Sequence, residues 1–129
     1  MGFSERFQSW KIQAGADLSD TTPGINGDLY KVIDFQTGTY ANQALVAGGL
    51  LQYGAQSGGH INLAIYGISK AVFATAITSV GMELTVVTSG LLSLADSGDY
   101  VVGKNLTSVS CVGVHAAMVN FLNPWKKET

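Results

Sequence analysis

A single cysteine, Cys111, excludes a disulfide within the chain. It sits in the apolar run Ser110-Cys-Val-Gly-Val114 and reads as a small buried hydrophobe, because neither histidine stands in a partner motif that would make a thiolate. Two prolines, Pro23 and Pro124, are too few for a proline-rich linker. Charge is the scarcest commodity. Asp, Glu, Lys and Arg together make 12% of the residues, and none of them occurs from Phe35 to Ser69. That share is roughly half of what a globular protein carries. The net charge is −2 and no basic cluster exceeds Lys126-Lys127, so the basic stripe of a direct nucleic-acid binder is missing. No apolar span reaches the ~20 residues of a membrane helix, and the first residues, Met1-Gly-Phe-Ser-Glu-Arg-Phe7, lack the apolar centre of a signal peptide, so neither is expected.

The catalytic inventory is equally thin. His60 and His115 lie in strand-like runs, and the spacings of HExxH, CxxC and EF-hand sites are missing, so no metal and no cofactor are expected. No glycine-rich piece precedes a helix in a phosphate-binding pattern, and there is no GxSxG elbow. Asp96 and Asp99 flank Ser-Gly and read as turn-forming residues rather than an acid–base pair. Asn105-Leu-Thr107 matches a glycosylation sequon and is read as chance. Tyr30, Tyr40, Tyr53, Tyr66 and Tyr100 are spaced too irregularly for a base-stacking platform. The chain is not expected to be an enzyme.

What is present is 47% hydrophobic residues and sixteen glycines in 129 positions, enough for one folded domain. Short β-type runs alternate with turn signals about every ten residues, the pattern of an all-β barrel or sandwich. His60 to Val72 is the clearest strand. Ile61, Leu63, Ile65, Gly67 and Ser69 take one face and His60, Asn62, Ala64, Tyr66 and Ile68 the other, both partly apolar, as between packed layers or at a subunit contact. Further strands are expected at Leu29–Phe35, Met82–Val87, Leu91–Leu94, Tyr100–Leu106 and Ser108–Val119. Gln43–Gln52 reads as a strand pair or a bulged strand, and Phe73–Val80 as a loop or one helical turn. Thr21 to Asp28 is a turn-rich connector.

The chain is divided into an N-terminal arm, 1–20, and a β domain, 21–129, with a short C-terminal tail. In the arm, Phe3, Phe7 and Trp10 are spaced as on one helix face, while Trp10, Ile12 and Ala14 alternate as in a strand. Either way, large apolar side chains sit on a terminal segment. They dock on another chain, or they cover one end of this domain's own core. A sparsely charged β surface is the kind a protein keeps for other protein, which points to an assembly role.

The pieces Tyr66-Gly-Ile-Ser-Lys-Ala-Val72, Ala76-Ile-Thr-Ser-Val-Gly-Met-Glu-Leu84 and Ser97-Gly-Asp-Tyr-Val-Val-Gly103 follow one another in the order and spacing of a known family, with Ala44-Leu-Val-Ala-Gly-Gly-Leu-Leu51 upstream where that family has a strand. From about Gln43 to Val119 the chain resembles the small capsid decoration, or cement, proteins of tailed bacteriophages. Val80 before Gly81 is one residue more than the family pattern, and residues 1–40 and the tail from Asn120 have no counterpart in it. The resemblance implies a small β-barrel or β-tulip-like domain. It implies a homotrimer on the outer surface of the virion, bound to the major capsid protein and bracing the shell, with no enzymatic activity, no membrane and no direct nucleic-acid contact. On that reading Phe3, Phe7, Trp10 and Ile12 are the capsid-binding candidates, and deleting residues 1–14 is expected to leave a folded trimer that no longer binds heads. The alternative is a β-sandwich ligand- or glycan-binding module of a virion fibre or knob, with Tyr40, Tyr53 and Trp125 stacking on sugar.

Overall fold

The computed structural model describes residues 6–22, 25–110 and 112–127. Phe3 and Cys111, both singled out above, lie outside them. The described residues form β1 (Arg6–Gln13), β2 (Val32–Asp34), β3 (Ala47–Tyr53), β4 (His60–Phe73), β5 (Glu83–Val87), β6 (Leu91–Leu94), β7 (Tyr100–Val101), β8 (Gly103–Asn105), β9 (Gly113–Asn120) and β10 (Trp125–Lys126). Among the described residues helix is limited to two single 3-10 turns, Ala44–Val46 and Thr88–Gly90. The expected all-β class holds. The helical option for the N-terminal segment does not, since residues 6–13 are a strand.

β4, β6, β5, β8 and β9 close into a five-stranded barrel, with β9 returning to β4. Within the closed ring every strand has a partner on both sides, so the barrel itself leaves no long unpaired edge. β4 is long enough to serve two structures. Its second half, from Tyr66 to Phe73, pairs with β9 in the barrel wall. Its first half extends beyond the barrel, where β3 pairs with it through Asn62–Ala64 and β1 runs antiparallel along it from His60 to Ile68. β2 adds to β3, and β10 pairs with β7 as a separate two-stranded ribbon.

Strict alternation along β4 holds only as far as Ile65. Ser9 pairs with Ala64 but Gln8 pairs with Tyr66, so Ile65 is skipped, and Gly67 has φ 116°. A β-branched or bulky side chain is strained at that angle, whereas glycine reaches it freely. A slip of one residue exchanges the faces. Before it, Ala64 points to one core and Leu63 to the other; after it, odd positions Ala71 and Phe73 join Ala64's core. Ser69 is thereby turned inward, where its hydroxyl accepts from Gln52 Nε2 at 2.8 Å.

Two cores result, one on each face of the β2–β3–β4 sheet. The barrel core gathers Val32, Leu50, Ala64, Phe73, Leu84, Leu92 and Val119 with others. The second core holds Ile33, Leu51, Ile61 and Leu63 under Ala14 and Leu18. The residue after β1 is tied down by Ala14 N–H to Gly59 O at 2.8 Å, and Leu18 N–H reaches Ala55 O at 2.9 Å. The cover fits closely: a Cβ on Gly54 would stand 1.8 Å from Leu18 O. No break in packing therefore separates residues 6–20 from the rest.

Three expected strands are cut short or broken. Leu29–Phe35 contracts to Val32–Asp34 because Tyr30 is left-handed, φ 67°, which bends the chain while its N–H still reaches Leu51 O at 2.8 Å. Tyr100–Leu106 breaks at Val102 into β7 and β8, and β9 begins only at Gly113. Of the stretch expected as a loop or one helical turn, Phe73 is the last residue of β4 and residues 74–80 form a loop pinned by an isolated bridge, Ile77 to Val109. The extra residue of Val80-Gly81 lies in an exposed turn where Gly81 has φ 80°.

Candidate assembly surface

Because residues 6–13 form a strand, the apolar side chains of β1 divide between its faces. Phe7, opposite Gly67, packs against the barrel core. Ile12, opposite Ile61, packs against the second core. Trp10 shares Ile12's face but lies past the edge of that core, 49% exposed. The structure thus does not bring Phe7, Trp10 and Ile12 to one surface; on a helix Phe7 and Trp10 would have shared one. β1 also uses its hydrogen-bonding edge on β4 of the same chain.

Trp10 opens onto an uncharged groove of about 330 Å³. Its ring meets Phe35 edge-on, centroids 5.8 Å apart and planes at 80°. Phe35 follows β2, Leu45 projects from the first 3-10 turn, Leu63 and Ile65 rise from β4, and Phe121 and Leu122 follow β9. Leu45 and Leu122 are 60% and 59% exposed. Among the described residues no ionisable side chain lines this groove. On the barrel's outer wall, Tyr66, Met118 and Trp125, each substantially exposed, line a second hollow of about 220 Å³. Trp125 Nε1 donates to Glu83 Oε2 at 3.1 Å, and Lys127 Nζ stands 3.7 Å from Glu83 Oε1, so the tail is laid against β5. Single exposed apolar residues are ordinary; an uncharged groove and a second, largely apolar hollow that Lys104 also lines make a surface suited to protein contact.

The other sequence candidates fall as follows. His115 meets the Phe73 ring edge-on at 5.8 Å. His60 is exposed at the start of β4. Asp99 N–H donates to Asp96 O at 3.0 Å and Asp96 N–H to Asp99 Oδ2 at 2.8 Å, so the pair closes a turn. Among the described residues no group of three or more His, Cys, Asp or Glu could hold a metal ion. Among the described residues no helix is long and apolar enough to cross a membrane. Tyr40, Tyr53 and Trp125 share no hollow: Tyr40 packs on the second core, Tyr53 stands at the end of β3 and Trp125 lies on the barrel wall.

One polar arrangement was not foreseen from the sequence. Tyr40 donates its hydroxyl proton to Asp28 Oδ1, and Asp28 Oδ2 accepts from Asp20 N–H at 2.9 Å. Lys31 is buried beside them, its Nζ donating to Ile25 O at 2.6 Å and lying 4.8 Å over the Tyr40 ring. Burial, then the bond to Asp28, pushes the Tyr40 phenol up from its ordinary value, and burial pushes the Lys31 ammonium down. This knot anchors the connector between β1 and β2. The only signal in the sequence was an isolated Lys between apolar neighbours in Tyr30-Lys-Val-Ile33.

No family model matches the chain, and no curated protein does. Among solved structures, the head fiber gp8.5 N base of bacteriophage phi29 has a similar fold, with a TM-score of 0.64 and 14% identity over 96% of this chain and 100% of that one. At that identity the likeness is one of fold.

Proposed function

We propose that this chain is a structural, non-enzymatic protein of a bacteriophage head. The observation that carries the reading is the uncharged groove around Trp10, Phe35, Leu45 and Leu122, an open apolar surface on an otherwise well-packed barrel. Its fold likeness to the base of a phage head fibre supports the same class of role, and so does the motif order shared with capsid decoration proteins. In its finer form, the chain is a decoration protein that sits on the outer capsid surface as a homotrimer, contacts the major capsid protein through the Trp10 groove, and braces the shell. Three weak contacts made together hold far more tightly than one, which suits a protein with modest individual apolar patches. The second reading, a module of a virion fibre, is favoured by the fibre origin of the similar fold.

Light scattering of the purified protein tests the assembly: a mass of three chains is expected, and a single-chain mass at every concentration removes the trimer. Heating undecorated heads with and without the protein tests the bracing. DNA release is expected at a higher temperature with it, and an unchanged release temperature overturns the stabilising role.

A further inference from the structure

Away from the apolar groove, the exposed end of the β1–β4–β3 sheet carries a row of chemistry that the assembly role does not use. Lys11 on β1, Asn62 on β4 and Tyr53 on β3 are direct cross-strand neighbours, since Lys11 and Tyr53 both pair with Asn62 from its two sides. His60 stands two residues before Asn62, on the same face. These four side chains and Ile61 line an open hollow of about 370 Å³, within the size range of small-molecule sites. Tyr53 is 69% exposed, more than any other large hydrophobic residue described.

The hydrogen-bonding state of this row is unusual. Asn62 Oδ1 is sealed from solvent and receives no hydrogen bond. A buried acceptor left unmet is uncommon and costly. Asn62 is half-buried and its side chain lines the hollow. Lys11 is exposed and makes no ion pair among the described residues. Asn62 Nδ2 and Lys11 Nζ are both donors, His60 adds a further polar nitrogen, and no carboxylate lines the hollow.

We propose that this hollow binds an acidic saccharide, a pyranose carrying a carboxylate. Lys11 and the Asn62 amide take the carboxylate and a neighbouring ring or hydroxyl oxygen. The open face of Tyr53 stacks on the flat C–H face of the sugar, and His60 exchanges a hydrogen bond with a hydroxyl. The hollow is open and its lining mixes polar and apolar surface about evenly, which suits a hydroxylated ring that also presents a C–H face. This site does not depend on head association, so either can fail alone.

The test is titration of the full chain, followed by NMR shifts, with methyl β-glucuronide, methyl β-glucoside and benzoate. Saturable glucuronide binding, with shifts at Tyr53 and Asn62, is expected, the glucoside binding about tenfold more weakly at low salt. Tyr53→Ala should weaken the glucuronide about tenfold with the melting temperature unchanged. Lys11→Gln should abolish the preference for the charged sugar. Absence of saturable binding overturns the proposal, as does unaltered binding by Tyr53→Ala. Benzoate binding as tightly as glucuronide makes the hollow a plain anion site and overturns the saccharide.

Discussion

At the scale of single residues, the side chains that hold the loops are polar ones placed where no polar residue is cheap. Asn105 is fully buried; its Oδ1 accepts from Met82 N–H at 2.8 Å and its Nδ2 donates to Ser79 O and Thr107 O, both at 2.8 Å. One side chain thereby fastens the turn before β5 to the segment after β8. Asn105→Ala should cost about 2–4 kcal/mol in chemical denaturation, because three backbone groups lose their partner at once. Asn105, the acceptor position of the sequon, has its amide turned inward onto Ser79 O and Thr107 O. The Tyr40–Asp28 bond makes a second expectation. A phenol whose folded pKa is raised contributes stability that is whole below its ordinary value of about 10 and is lost as pH rises through the folded value. Lys31, lowered by burial, has the opposite sign: its folded-state penalty fades as pH rises. Tyr40→Phe should therefore cost about 1 kcal/mol at neutral pH and should lack the Tyr40-linked fall in stability that the wild type shows above about pH 10. Equal slopes in urea melts across that range would remove Tyr40 from the alkaline response. The Asp96–Asp99 turn was legible because its chemistry is local. The Asp28–Tyr40–Lys31 knot was not, since its partners are brought together by the fold.

At the scale of elements, β4 organises the molecule, and its slip at Ile65–Gly67 lets one strand serve both the barrel and the outer sheet. Gly67→Val places a β-branched residue at φ 116°. It should destabilise the protein by about 2–4 kcal/mol in thermal or urea melts. A cost below about 0.5 kcal/mol would mean that the slip is easily moved. The strand itself and both of its apolar faces were visible in the sequence. The slip was not, because a period of two read through glycine cannot reveal a change of face. β6 was located to the residue because charge and turn residues flank it, while Leu29–Phe35 was overdrawn because Tyr30 is an ordinary strand former held left-handed by its context. β1 changes how the capsid-contact idea is tested. Its eight residues pair along β4, and Ala14 just beyond them is buried, so deleting 1–14 strips the β4 edge and should lower the melting temperature rather than leave the fold untouched. Trp10→Asp, at a half-exposed position, should keep the melting temperature within a few degrees and so separates docking from folding.

At the scale of the whole molecule, the scarcity of charge becomes a specific geography. The charge-free stretch from Phe35 to Ser69 supplies Phe35, Leu45, Leu63 and Ile65 to one groove, and β1 and the segment after β9 complete it. An uncharged apolar surface was legible in composition, but its position was not, because its members come from five separate parts of the chain. The measurement that tests the account most directly is co-sedimentation of the purified protein with undecorated bacteriophage heads, wild type beside Trp10→Asp. The wild type should pellet with the heads at a saturating ratio, and the variant should be held at least about tenfold more weakly. Wild-type protein that stays in the supernatant at every concentration, with empty and filled heads alike, would contradict the head-protein reading outright.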